Sequence, residues 1–297
     1  MQVKQRHLEV FEAIMAAGSI SRAATQLNIS QPAVSIALAN LEDLCGFKLF
    51  KRDRGFFAPT REALLLQDDM TQGLLALTRV SQRVSEIHAG STGSIRIATN
   101  GAMAVHFLPP LIAAYHRDHS DVSIDIMVRS SRQVADWVSH RQIDIGLIDT
   151  PVSVAGLHAE LFNLECVCVM HQDDPLAAKQ VITPADLAGR SVVAITGQHM
   201  VDRQLDTLLA ESNVTVERHL SSYFFAIARN IIAAGTALAI IDPTNGMANV
   251  TDGVIWRRFQ PCITHELAII TPAGQPLGHT AADLYQRIAT SLQKLAV

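Results

Sequence analysis

The sequence predicts an α/β chain that opens with an N-terminal all-α winged helix-turn-helix, continues through one long dimerisation helix and ends in a two-lobed α/β domain. Three observations predict this. Two short helical patterns meet at a tight break between Ser19 and Gly46; a narrow apolar stripe repeats from Ala63 to Ile87; and from Ser94 onward apolar runs alternate with amphipathic helical patterns. With 297 residues, 48% of them apolar and 18% charged, the chain has ample core for two or more folded domains. No apolar run approaches the ~18 residues of a membrane span, and the amphipathic first residues lack a signal-peptide core. A cytoplasmic protein without a membrane partner is expected.

Lys4–Ala17 reads as the first helix, with Leu8, Phe11 and Met15 as its buried stripe, Val10 and Ile14 beside it and Gly18 as its stop. Ser19 can cap a second helix that carries Ala23, Ala24 and Leu27 on one face. Asn28 tolerates the left-handed conformation that ends it, and Ser30 caps a third helix with Pro32 in its first turn. Val34, Leu38, Leu41 and Cys45 form the buried stripe of that helix, and Gly46 stops it. Two helices joined by so short a turn are a helix-turn-helix, whose second helix lies in the DNA major groove.

Phe47–Pro59 places Phe47, Leu49 and Phe50 before the polar Lys51–Gly55 segment and Phe56 and Phe57 after it. This predicts a hairpin whose basic tip faces phosphate while its aromatic residues cover the helices. Arg52 and Arg54 are the main phosphate candidates. The net charge of −4 argues against a nucleic-acid partner until its distribution is considered. Residues 1–62 hold eight basic and six acidic residues, the remainder sixteen and twenty-two, and Lys48–Arg54 alone holds four basic residues to one acidic. A cationic head on an acidic body suits a DNA-binding protein.

Thr60 can cap a helix over Arg61–His88, in which Ala63, Leu66, Met70, Gly73, Leu77, Val80, Val84 and Ile87 follow alternating spacings of three and four. That is a coiled-coil seam, with Gly73 its weak member at about 1 kcal/mol relative to Ala. Two heads tethered by such a seam would gain by effective concentration and by reading two half-sites. Ala89–Gly93 is a flexible hinge.

Beyond it, strands are expected at Ile95–Thr99, Val122–Val128, Ile143–Ile148, Cys166–Met170, Val192–Ile195, Val214–Leu220, Leu238–Ile241, Val254–Phe259 and Leu267–Thr271. Helices are expected at Val105–Arg117, Arg132–Arg141, Val201–Glu211, Tyr223–Ala234 and Thr280–Leu295. Such alternation implies parallel, doubly wound sheets in two small lobes. The expected boundaries are 1–59 for the winged head, 60–88 for the linking helix, 89–93 for the hinge, 94–163 plus 265–297 for lobe 1 and 164–264 for lobe 2.

In open α/β sheets, ligands sit beyond the carboxyl ends of the strands, where helix N-termini point. The residues at those ends are small and polar, and the ligand-contact candidates are Thr99, Asn100, Gly101, Ala102, Ser130, Ser131, Asp149, Thr196, His199, Ser222 and Asp242. Hydroxyls and free backbone N–H groups favour an anion, whereas Asp149 and Asp242 could receive an ammonium. The alternative reading of each Ser, Thr or Asp is a cap on its own helix. There is no GxSxG, Walker or GxGxxG motif, so catalysis has little support and no cofactor is expected. Cys45, Cys166, Cys168 and Cys262 form no CxxC pair, and His116 and His119 lack an evident third ligand, so no metal is expected either.

The segment AAGSISRAATQLNISQPAVSIALANLEDLCGFKLFKR resembles the winged helix-turn-helix of the LysR-type transcriptional regulators, and LPPLIAAYHRDHSDVSIDI, RQIDIGLI, DPLA, LAGR and AAGTALAIIDP are similar to that family's later elements in order. The resemblance covers nearly the whole chain. It implies a bacterial regulator, not an enzyme, that binds promoter DNA as a dimer through 60–88 and a homotetramer through its C-terminal domains, with RNA polymerase as a further partner. It also implies a two-lobed, periplasmic-binding-protein-like effector domain holding a small polar molecule, and the pattern is nearest to members that sense amino-acid-like or opine-like ligands. By position, Ser30, Gln31, Pro32 and Ser35 match the start of the family's recognition helix and Arg52 its wing arginine. Ser19, Ser21, Arg22, Lys48 and Arg54 complete the expected DNA contacts. Ile36 departs from the pattern, because the family usually has arginine there.

Overall fold

The computed structural model describes residues 3–53, 56–89, 94–196, 199–274 and 276–296, in two compact units, Met1–Gly90 and Ser91–Val297. Arg54, residues 90–93 of the expected hinge, and Gly197 and Gln198 lie outside the described residues, as do the side chains of Arg52 and Ile87.

The first unit comprises α1 (Gln5–Ala17), α2 (Ile20–Gln26), α3 (Gln31–Cys45), the antiparallel hairpin of β1 (Phe50–Asp53) and β2 (Phe56–Pro59), and α4 (Arg61–Ala89). Gly18 and Gly46 end α1 and α3 in the left-handed region, and Asn28 adopts it between α2 and α3. The core centres on Val10, Phe11, Ile14, Val34 and Leu41, all without solvent exposure. Leu8 and Met15 are only partly buried, so the buried face of α1 is shifted from the expected stripe. The cause is that α1 packs on α2, α3 and α4 together, which covers two of its sides. Phe50 completes this core against Phe11 and stacks on Phe57 at 5.1 Å, whereas Phe47 remains 41% exposed.

The seam of α4 divides into two halves. Ala63 and Met70 are buried in their own unit, Glu12 accepts a hydrogen bond from the Thr71 hydroxyl, and a Cβ on Gly73 would stand 3.3 Å from Leu8 Cδ1. Gly73 is therefore where α1 approaches α4. Farther along, Leu77, Val80 and Val84 are 38%, 60% and 50% exposed.

The second unit begins with β3 (Ser94–Thr99), α5 (Gly101–Ala104), α6 (Leu108–Asp118), β4 (Ser123–Val128), α7 (Ser131–Ser139), β5 (Ile145–Asp149) and β6 (Leu157–Glu165). It continues with β7 (Val167–His171), β8 (Val181–Ile182), β9 (Ala194–Ile195), α8 (Met200–Glu211), β10 (Ser221–Ser222), α9 (Phe225–Ile232), β11 (Ala239–Ile241), α10 (Pro243–Gly246) and β12 (Val254–Phe259). It closes with β13 (Thr264–Pro272) and α11 (His279–Gln293). One sheet has the order β4-β3-β5-β13-β6, the other β11-β7-β12-β8, beside the small parallel pair β10-β9.

The sheets are mixed, which corrects the expectation of parallel ones. β13 runs antiparallel to β5 and β6, and β7 runs antiparallel to β11 and β12. The expectation missed β6 because Leu157–Glu165 mixes charged and apolar residues on both faces, and only its nine-residue register with β13 makes it a strand. Conversely, Val214–Leu220 is not a strand; it meets residues 189–194 through a bridge from Glu217 to Ser191 and separate backbone hydrogen bonds at Thr215 and Leu220. The chain passes between lobes at Cys166, after β6, and returns at Ile263, before β13. The Cys166 N–H donates to the Ile263 carbonyl at 2.8 Å and ties the two crossings together.

Candidate functional site

The head presents α3 with an exposed N-terminal end. The Ser30 hydroxyl accepts from the Ala33 N–H and starts the helix, with Pro32 in its first turn. Ser19 does the same for α2, accepting from both the backbone N–H and the Nε of Arg22. The exposed Ser21 hydroxyl donates to Gln31 Oε1 at 3.2 Å, which steadies the Gln31 amide at the helix tip. Ser35, Lys48 and Lys51 border one groove between α3 and the hairpin. Lys48 is not free for phosphate alone, because its Nζ lies 2.6 Å from Glu42 Oε2. Glu42, buried near the end of α3, also accepts from the Leu49 and Phe50 N–H groups, so it anchors the first hairpin strand. Nothing in the local pattern LEDLC distinguished Glu42 from Asp43 beside it.

In the second unit, a cavity of about 330 Å³ lies between the lobes. Asn100, Gly101, Ala102, Ser130, Ser131 and Asp149 line it from lobe 1, and Thr196 and His199 from lobe 2. The aromatic run Tyr223, Phe224 and Phe225 and the polar Arg129 and Gln133 also line it. Sequence reasoning left the aromatic run inside an expected helix, although its position beyond a strand end could have marked it.

Three candidates do not reach the cavity. Thr99 has no exposure and donates to the Asn100 carbonyl. The buried Ser222 hydroxyl is closed on Phe224, donating to its carbonyl and accepting from its N–H. Asp242 is wholly buried as the cap of α10, accepting from the Thr244 and Asn245 N–H groups and from both of their side chains. It cannot receive an ammonium. Helix capping, the alternative reading, holds for all of Asp242 and for part of Ser130, whose hydroxyl caps α7. Ser131 acts differently, accepting from the Asp149 N–H at 3.0 Å and fixing the end of β5.

Asp149 is the charged centre of the cleft. Its Oδ1 lies 2.7 Å from Nε2 of His265, a wholly buried β13 residue that sequence reasoning missed, and its Oδ2 lies 3.9 Å from Nε2 of His199. Burial would raise the Asp149 carboxyl, but the hydrogen bond and charge of His265, with smaller help from His199 and the Asn100 amide, hold it below the ordinary carboxylate range. Burial would lower His265, but Asp149 and then Asp242 raise it. His199 is pushed down to about 4 by burial and by the charge of His265, which outweigh the pull of Asp149. The trio is thus an ion pair with a neutral imidazole beside it.

Asp149, His199 and His265 each place one donor atom within 4.8 Å of the others, close enough to consider a metal ion. A metal-bound imidazole normally donates its second N–H to an acceptor. Among the described residues His265 Nδ1 has no partner, and His199 Nδ1 itself accepts from the Val201 N–H. The arrangement suits the ion pair better. Asn100 differs from these residues: it is 5% exposed, and among the described residues its Oδ1 has no hydrogen-bond partner. A buried amide oxygen left open in a cavity wall fits a site completed by a polar ligand.

Residues 5–64 match the family model described as a bacterial regulatory helix-turn-helix protein of the lysR family, and residues 88–293 match the LysR substrate binding domain. The chain is 30% identical to the transcriptional activator protein LysR of Escherichia coli strain K12 over 99% of its length and 97% of that protein. It is 26% identical to the regulatory protein NocR of Agrobacterium fabrum over 99% and 98%. The crystal structure of CbnR, a LysR family transcriptional regulator, superimposes with a TM-score of 0.76 over 98% of this chain and 99% of that one, at 16% identity. The chain belongs to the LysR family and is a DNA-binding transcriptional regulator with a substrate-binding domain, not an enzyme.

Proposed function

We propose that this regulator binds promoter DNA as a dimer paired along the second half of α4, assembles further through its C-terminal units, and changes its DNA binding when a small amino acid or carboxylate enters the cleft. The observation that carries the ligand reading is the Asn100 amide oxygen, without a partner among the described residues, in the wall of a cavity of about 330 Å³ next to the Asp149 carboxylate. Ser130 and the start of α7 favour an anionic group at the same wall. For the DNA, Gln31 at the tip of α3 offers an amide suited to adenine N6 and N7. For the dimer, Leu77, Val80 and Val84 form an exposed apolar row beyond the half of α4 that its own unit covers.

A gel shift with the DNA upstream of its own gene tests the first part. If about four phosphates are neutralised per dimer, the logarithm of the binding constant falls with a slope of about −3.6 against the logarithm of salt concentration. A complex insensitive to salt, or no complex at nanomolar protein, would defeat it. A thermal-shift screen of amino acids and small carboxylates tests the second part: a stabilising compound must also alter the gel shift.

A further inference from the structure

The solvent face of α3 holds a residue that packing does not explain. Val34, Leu38 and Leu41 point into the core with little or no exposure, while Pro32, Ile36, Ala39 and Asn40 lie on the opposite side. Ile36 is 61% exposed, and it stands one helical turn after Pro32, in the part of a recognition helix that reaches base edges. The helix Gln31–Cys45 contains no lysine or arginine, so its outward face cannot gain affinity from phosphate charge. The eight cations of residues 1–62 all lie on other segments, among them Arg22 on α2 and Lys48 and Lys51 at the hairpin. A large β-branched apolar side chain at the centre of such a face has one matching feature in the major groove, the C5-methyl group of thymine.

We propose that Ile36 is a specificity-determining residue that packs on a thymine methyl in each half-site. The inference rests on the promoter-binding reading and deepens it. Gln31 on the flank of α3 reads hydrogen-bonding edges, while Ile36 reads a methyl and so selects A·T at its position. A methyl shielded from water on both surfaces contributes about as much as one buried CH₂, roughly fourfold in affinity per half-site.

The experiment uses the full chain and a duplex enriched from a random DNA pool by gel shift. The same duplex is then made with uracil in place of every thymine, which removes the methyl groups and leaves all hydrogen-bonding edges. The native chain should lose about fourfold per half-site on that change, beyond any loss shared with the variant. Ile36→Ala should bind the thymine duplex more weakly and lose correspondingly less on going to uracil. Alanine at an exposed helical position keeps the helix, and Ile36→Val, which retains a methyl at the same branch, should recover part of the thymine preference. An equal uracil penalty in the native chain and Ile36→Ala would overturn the inference while leaving promoter binding intact. Failure to enrich any duplex would overturn both.

Discussion

Phe224 of lobe 2 lies against the backbone of Gly101 in lobe 1 so closely that a Cβ on Gly101 would stand 1.9 Å from the ring's Cδ1. Gly101 begins α5 at the mouth of the cleft, and Asn245 of lobe 2 donates to the Ala102 carbonyl beside it. The two lobes therefore meet through a missing side chain. Gly101→Ala should force the ring out and cost about 1–3 kcal/mol, the range for overpacking a filled site. Denaturant unfolding of the full chain measures the loss, and adding Phe224→Ala should recover part of it. A Gly101→Ala chain as stable as the native one would show that the ring moves without resistance.

The linking helix makes a prediction that separates its halves. Leu77→Glu and Val84→Glu alter exposed positions and should leave the fold stable while yielding monomers in sedimentation. Met70→Ala alters a buried position and should cost about 2–5 kcal/mol of stability. An unchanged oligomer in the double Glu variant would rule out this row as the main contact between copies.

Glu42 and Lys48 form an ion pair in which the partners have unequal importance. Glu42→Ala leaves the Leu49 and Phe50 N–H groups without their acceptor, at about 1–3 kcal/mol each where water cannot replace it. Lys48→Ala removes only a side chain that is 69% exposed, and its stability should barely change. Thermal unfolding of the two variants decides this. Equal losses would mean that the surface ion pair, not the buried carboxylate, holds the hairpin.

What the sequence revealed and what it hid divide along range in the chain. Helix stops at Gly18 and Gly46, caps at Ser19 and Ser30, and the apolar stripe of α3 are local signals, and they place the head correctly. The heptad seam is local as well, but periodicity cannot say which copy covers it, and α1 takes the first half. The antiparallel β6 and β13 pair through residues a hundred positions apart, which no window along the chain displays. The same limit applies to the cleft. Asp149 was visible at a strand end, but its partner His265 comes from β13, and the trio with His199 exists only after three elements converge. Asp242 carried the same local signal as Asp149, and only its burial beneath α10 separates a cap from a cleft residue.

The Asp149–His265 pair predicts how the second unit responds to pH. His265 is raised above the ordinary histidine value of ~6.5, against the effect of burial, by Asp149 and then Asp242, with His199 beside it neutral. A group whose folded value is raised contributes stability that is fully present below its unfolded value and is lost as pH rises through the folded one. Asp149 is held low, so its contribution is present above ~3.9 and is lost as pH falls through its depressed value. The pair is therefore fully effective between roughly pH 4 and pH 6.5 and weakens on either side. Asp149→Asn removes the nearer carboxylate, lets burial lower His265 and should flatten the alkaline side of the profile. The measurement is thermal unfolding from roughly pH 4 to well above pH 6.5, through the raised His265 value, for the native chain and Asp149→Asn. If the variant declines with rising pH as steeply as the native chain, the imidazolium of His265 is not held by Asp149.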